Sequence, residues 1–72
     1  MSGEIYKDGV NCSIDTDKAL LCTKDGEPDF WVPKSQVSDD SEVYKVGTDG
    51  RIIMKGWWAE KFDWEKVGWE AL

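Results

Sequence analysis

The sequence predicts a mainly β fold, a small and strongly bent antiparallel sheet of five strands with one short C-terminal helix. Its 72 residues are predicted to form one domain, 1–72, because a chain of this length has room for a single thin core. Short segments in which apolar and polar residues alternate are typical of half-buried strands. Glycine next to aspartate or proline between these segments predicts tight turns.

The predicted strands are short and follow one another closely. They span 10–15, 19–24, 30–32, 43–46 and 51–55. Residues 1–9 contain two glycines and little apolar content, so we expect a tail or a weak edge strand there. Gly47-Thr48-Asp49-Gly50 is a strong hairpin signal, which makes the hairpin 43–55 the best-supported local element.

The C-terminal segment has a different pattern. Trp58 and Phe62 are four residues apart, and Trp57 and Trp64 are seven apart, spacings that a helix places on adjoining stripes. We therefore predict a short helix over 57–64, with Gly68-Trp69 marking the end of ordered packing. The expected form of the whole is a strongly bent antiparallel sheet or an SH3-like or OB-like barrel, since closing a small sheet removes its exposed edges. Strands first and a helix last fit an α+β fold almost equally well.

Two cysteines lie where the first two strands would pair. If Asp15 faces Ala19 across the turn, Cys12 falls opposite Cys22. The pair is then either bridged or two small buried thiols, and the lack of a visible secretory signal favours buried thiols. Without histidine they make half a zinc site at best, so we expect no metal.

Composition argues against several classes of function. Nine basic and fifteen acidic residues give a net charge of −6, which disfavours a polyanion as the default partner. No apolar run is long enough to span a membrane. With no histidine, phosphate-binding loop or Gly-x-Ser-x-Gly elbow, we expect no enzyme, no cofactor and no evident small-molecule substrate.

Two motifs carry a resemblance to a known group. The segment Trp31-Val-Pro-Lys-Ser-Gln36 is followed by Trp57-Trp-Ala-Glu-Lys61. With these motifs, residues 18–62 resemble small uncharacterised proteins encoded by bacteriophages and prophages. The resemblance implies a cytoplasmic setting in a bacterial host cell, and it implies no activity.

Five tryptophans in so short a chain predict an interaction surface, because a small core cannot bury them all. We therefore predict a non-catalytic module that binds another protein, or a second copy of itself, with aromatic anchors and acidic loops. The candidate contact residues are Trp31, Trp57, Trp64, Trp69, Asp39, Asp40 and Glu42. The alternative is a barrel that stacks single-stranded nucleic acid on the same tryptophans.

Overall fold

A computed structural model describes residues 3–59 and 64–72, apart from the side chains of Trp57 and Ala59. The predicted mainly β fold is confirmed, with five strands in one antiparallel sheet. The strands are β1 (Ile5–Asp15), β2 (Ala19–Lys24), β3 (Glu27–Pro33), β4 (Asp49–Met54) and β5 (Glu70–Ala71). Among the described residues, no helix has the length and apolar character needed to cross a bilayer.

The long strand β1 is the centre of the sheet. It pairs with β4 along one edge, and with β2 and β5 along the other. The prediction of a tail or edge strand over 1–9 is therefore wrong from Ile5 onward. Gly9, at φ +71°, lies where the register with β4 shifts, and this bulge bends β1. The bulge interrupted the apolar alternation on which the prediction relied.

The hairpin of β1 and β2 brings the two cysteines together as predicted. Cys12 faces Cys22 directly, and both are buried free thiols. Nearer the turn a register shift pairs Asp15 with Leu20 rather than with Ala19. The sequence thus identified the partners of the cysteines, while the bulge beyond Cys12 changed the pairing next to the turn.

Residues 43–46 form no strand, so the prediction of a hairpin over 43–55 is wrong. The Thr48 hydroxyl accepts hydrogen bonds from the backbone N–H groups of Tyr44 and Lys45, at 3.0 and 3.2 Å. These N–H groups are therefore used within the loop rather than in a ladder. The strand predicted over 51–55 is instead β4, and the preceding turn is not a hairpin turn between strands.

A different segment occupies the outer edge of β4. Ser38 donates its backbone N–H to the carbonyl of Ile53 at 2.7 Å, and Glu42 donates its N–H to that of Arg51 at 2.8 Å. Val37 adds an isolated bridge to Met54. The chain therefore passes from the end of β3 to the edge of β4, which covers the edge that the predicted hairpin would have used.

The C-terminal segment completes the fold. Gly56–Ala59 is a short α-helix (α1) and Trp64–Val67 is a 3-10 helix. The prediction of one helix over 57–64 falls partly outside the described residues. Trp69 is only 4% exposed, and β5 follows it, so the prediction that packing ends at Gly68-Trp69 is wrong.

The core is largely aliphatic, with one tryptophan in it. Its buried members are Ile5, Val10, Cys12, Leu20, Cys22, Val32, Val43, Ile52, Met54 and Trp69. Phe30, Val37, Trp58 and Trp64 are partly buried against them. Of the tryptophans whose side chains are described, Trp69 thus belongs to the core, while Trp58 and Trp64 pack against it.

Candidate functional site

An aromatic groove lies between β3 and the C-terminal segment. Its cavity volume is about 310 Å³. It is lined by Lys7, Glu27, Pro28, Asp29, Phe30, Trp31, Trp58, Val67 and Trp69. Strand β3 contributes five of these residues, so one short segment of sequence forms much of the wall.

The rings in the aromatic groove hold one another in place. The Trp69 ring lies edge-to-face with Phe30 at 5.7 Å between centroids, and with Trp58 at 5.2 Å. Aromatic pairs in this geometry are worth about 0.5–1.5 kcal/mol beyond the area they bury. These contacts fix the inner wall of the groove before any partner arrives.

Trp31 forms the outer wall. In β3 its neighbour Val32 faces the core and is fully buried, so alternation along the strand turns Trp31 outward. The Trp31 side chain is 53% exposed. Of the tryptophans whose side chains are described, Trp31 is the one exposed as a candidate anchor.

The floor of the groove contains a buried lysine. Lys7 is only 3% exposed, and its ammonium forms an ion pair with Glu27. It donates a second hydrogen bond to the carbonyl oxygen of Val67 at 2.7 Å. The same ammonium lies 5.3 Å from the Phe30 ring centroid and 5.8 Å from that of Trp69. Lys7 is thus fully engaged inside the protein.

Carboxylates mark the rim of the groove. The hydrogen bond from Lys7 lowers the pKa of Glu27 below its ordinary value, so Glu27 stays ionised. Lys24 lies 4.0 Å from the second oxygen of Glu27. Asp29 is exposed, and among the described residues it forms no ion pair. Asp29 therefore adds an unpaired negative charge to the lining of the groove.

The other predicted tryptophans differ from Trp31. Trp69 lines the groove but is buried, so it supports the wall and does not protrude as an anchor. Trp64 is half-buried against the core. Trp57 lies in α1, and its side chain is outside the described residues.

The predicted acidic residues line other cavities. Asp39 borders a cavity of about 440 Å³ that also includes Tyr44, and Asp40 and Glu42 border one of about 380 Å³ with Asp8 and Arg51. A Glu42 carboxylate oxygen also accepts a hydrogen bond from the Arg51 backbone N–H at 2.9 Å. The structure thus does not bring these carboxylates to the aromatic groove.

Several basic side chains are already paired with acids. Lys34 forms an ion pair with Asp15, and Arg51 forms one with Asp8 at 2.7 Å. The Arg51 guanidinium also lies 4.1 Å from the Tyr6 ring centroid. These contacts neutralise cations that a nucleic-acid surface would need for phosphate groups.

The cysteine thiols are held in the protonated form. Burial raises the pKa of Cys22 to about 12, with a smaller contribution from Cys12. Burial also raises the pKa of Cys12. Because the thiolate is the nucleophile and the metal ligand, we expect both residues to react slowly at neutral pH. Within the described ranges, no group of three His, Cys, Asp or Glu residues is placed to hold a metal ion.

Comparison with known proteins found no matching family model, curated protein or solved structure. The site must therefore be judged from its own geometry.

Sequence reasoning missed half of the aromatic groove. Lys7 lies in the segment predicted as a tail or a weak edge strand, and Glu27, Pro28 and Asp29 are not among the predicted contact residues. One signal for Lys7 was present, since it follows Ile5 by two residues and so shares its face in an extended strand. The contact between Phe30 in β3 and Trp69 in the C-terminal segment joins residues 39 positions apart, and no local pattern encodes it.

Proposed function

We propose that this chain is a non-catalytic interaction module that binds another protein through the aromatic groove. The observation that carries the proposal is the exposed Trp31 ring beside a groove whose other rings are fixed by their own packing. Aromatic residues in preformed pockets contribute much of the energy at protein interfaces. The resemblance to phage and prophage proteins adds the proposed setting, the cytoplasm of a bacterial host.

The proposal shifts the acidic contribution away from Asp39, Asp40 and Glu42. These lie outside the groove, whereas Glu27 and Asp29 lie in its lining. Charge on the rim of an interface guides association more than it adds to affinity. We therefore assign the anchoring role to Trp31 and the guiding role to Asp29.

Binding of single-stranded nucleic acid is the alternative that the same exposed ring raises. It requires cations along the groove for phosphate groups. The lysine in the groove, Lys7, is buried and already paired, and the rim carries carboxylates. This electrostatic arrangement favours a protein partner.

A capture experiment with matched baits tests the proposal. The protein and its W31A and Y44A variants are used to capture proteins from bacterial lysate, with and without nuclease. Tyr44 is a suitable control because it is 56% exposed and borders a different cavity. We expect captured proteins that remain after nuclease treatment and that the Y44A bait also captures. The amount captured by the W31A bait should be lower by at least about tenfold.

Two results would contradict the proposal. Capture that disappears after nuclease treatment would indicate nucleic-acid binding. Capture that is equal for W31A and the unmodified bait would place the contact elsewhere, and a doubled mass in light scattering would then indicate self-association. Far-ultraviolet circular dichroism of each bait confirms that it is folded.

A further inference from the structure

Strand β3 limits the ways in which a partner segment can bind at the aromatic groove. It lies at the end of the strand order, and among the described residues it pairs only with β2. Its other edge would be open to a partner strand, but Pro28 and Pro33 have no N–H group to donate. Asp29 adds charge to the same edge, a feature that discourages strand pairing. Recognition here must therefore use side chains more than a backbone ladder.

The shape of the groove favours a short extended segment. Its volume is about 310 Å³, and its lining combines the exposed Trp31 ring with the rings of Phe30, Trp58 and Trp69. A polyproline II segment has no internal backbone hydrogen bonds, and proline sets its conformation before binding. Such segments dock on aromatic-lined grooves without forming a ladder, at a low cost in conformational entropy.

The charge of the groove selects a basic partner. Asp29 precedes Trp31 by two residues in β3, and both line the aromatic groove. The lining thus combines a carboxylate with the exposed ring. Lys7 does not offset it for a ligand, since its ammonium is enclosed by Glu27, the Val67 carbonyl and two rings. The chain as a whole carries a net charge of −6.

We propose that the aromatic groove binds a proline-containing basic segment of a partner protein in the polyproline II conformation. Proline packs against Trp31 and the other rings that line the groove, and a neighbouring Lys or Arg pairs with Asp29. This inference rests on the proposed protein-binding function and specifies the chemistry of the partner.

The test uses an array of random twelve-residue peptides probed with the folded protein. We expect the retained peptides to be enriched in proline adjacent to Lys or Arg. The best of them is then resynthesised with Glu in place of its basic residues, and separately with Ala in place of its prolines. Titrations followed by tryptophan fluorescence should show at least about tenfold weaker binding for each altered peptide.

Matched variants assign the two contacts. D29N and D39N remove the same charge from exposed positions, and only Asp29 lines the aromatic groove. We expect D29N to weaken binding about three- to tenfold and to flatten its salt dependence, while D39N leaves the salt dependence as it is. W31A should weaken binding by more than about tenfold, and Y44A should leave it unchanged.

The two proposals fail in different ways. Retained peptides that lack the basic and proline enrichment, or equal losses for D29N and D39N, would overturn the assigned chemistry. If lysate capture still depended on Trp31, protein binding itself would stand. An oligonucleotide of thymidines that competes for the groove would overturn both.

Discussion

The ammonium group of Lys7 lies 2.7 Å from the carbonyl oxygen of Val67, sixty residues further along the chain. This hydrogen bond ties the central strand β1 to the 3-10 helix that precedes β5. The ion pair with Glu27 connects the same ammonium to β3. One buried side chain thus joins three segments and forms the floor of the aromatic groove.

Replacing Lys7 by methionine keeps most of the apolar stem and removes the ammonium. We expect K7M to lower the free energy of unfolding by about 1–3 kcal/mol, because a hydrogen bond to a charged group is lost. Urea unfolding followed by tryptophan fluorescence measures the change. K18M is the control, since Lys18 is exposed. A K7M protein as stable as the unmodified chain would show that the ammonium does not hold the segments together.

The pair of Lys7 and Glu27 also predicts a pH dependence. The pKa of Glu27 is lowered from 4.5 in the folded protein, so the stabilisation is fully present above that pH. It is lost as the pH falls below 4.5 through the folded-state pKa, because the unfolded chain binds the proton first. E27Q should be less stable than the unmodified chain at neutral pH, and the difference should shrink in acid. A difference that stays constant with pH would contradict this prediction.

In the loop over 43–46, replacing one valine by alanine should lower the stability of the fold, and replacing the other should not. Val43 is fully buried although it belongs to no strand, and Val46 is 53% exposed. V43A should cost about 1–3 kcal/mol of stability through lost burial and the remaining cavity. V46A should stay within about 0.5 kcal/mol. Equal losses of stability in V43A and V46A would contradict the burial of Val43 and the exposure of Val46.

The thiol of Cys22 predicts a loss of stability in alkali. Its pKa is raised from 9.0 to about 12 by burial, so the folded protein keeps a proton that the unfolded chain releases. This contribution is present below pH 9.0 and is lost as the pH rises toward 12. C22A should be less stable near neutrality and should show a shallower decline between these values. A parallel decline in both proteins would argue against the raised pKa.

Thiol accessibility gives an independent check on the same pair. A disulfide reagent that reports free thiols by absorbance should react slowly with the folded protein and rapidly in urea. S13C places a thiol on the exposed face of the same strand, and this thiol should react quickly without urea.

Particular elements show how far the sequence could be interpreted. An assumed register of two strands placed Cys12 opposite Cys22, and a bulge in β1 keeps this pairing although the register next to the turn differs. Alternation over 30–32 placed Trp31 on the face opposite Phe30 and Val32. The hairpin over 43–55 failed although its turn signal was strong. The N–H groups of Tyr44 and Lys45 donate hydrogen bonds to the Thr48 hydroxyl, and residues 36–42 occupy the outer edge of β4. Neither competitor is visible in the local pattern that predicts a hairpin.

The sequence by itself determined the mainly β class, because that class depends on side-chain alternation over a few residues. It offered Cys22 as the partner of Cys12 under one assumed register, and it did not decide which tryptophans are exposed. Only the tertiary structure decided that Lys7 is buried, that Trp69 belongs to the core and that Glu27 and Asp29 border the aromatic groove. Those outcomes depend on contacts between β1, β3 and the C-terminal segment. Such contacts depend on burial and charge pairing across the whole chain. Residues far apart in sequence share no periodic pattern from which these contacts could be predicted.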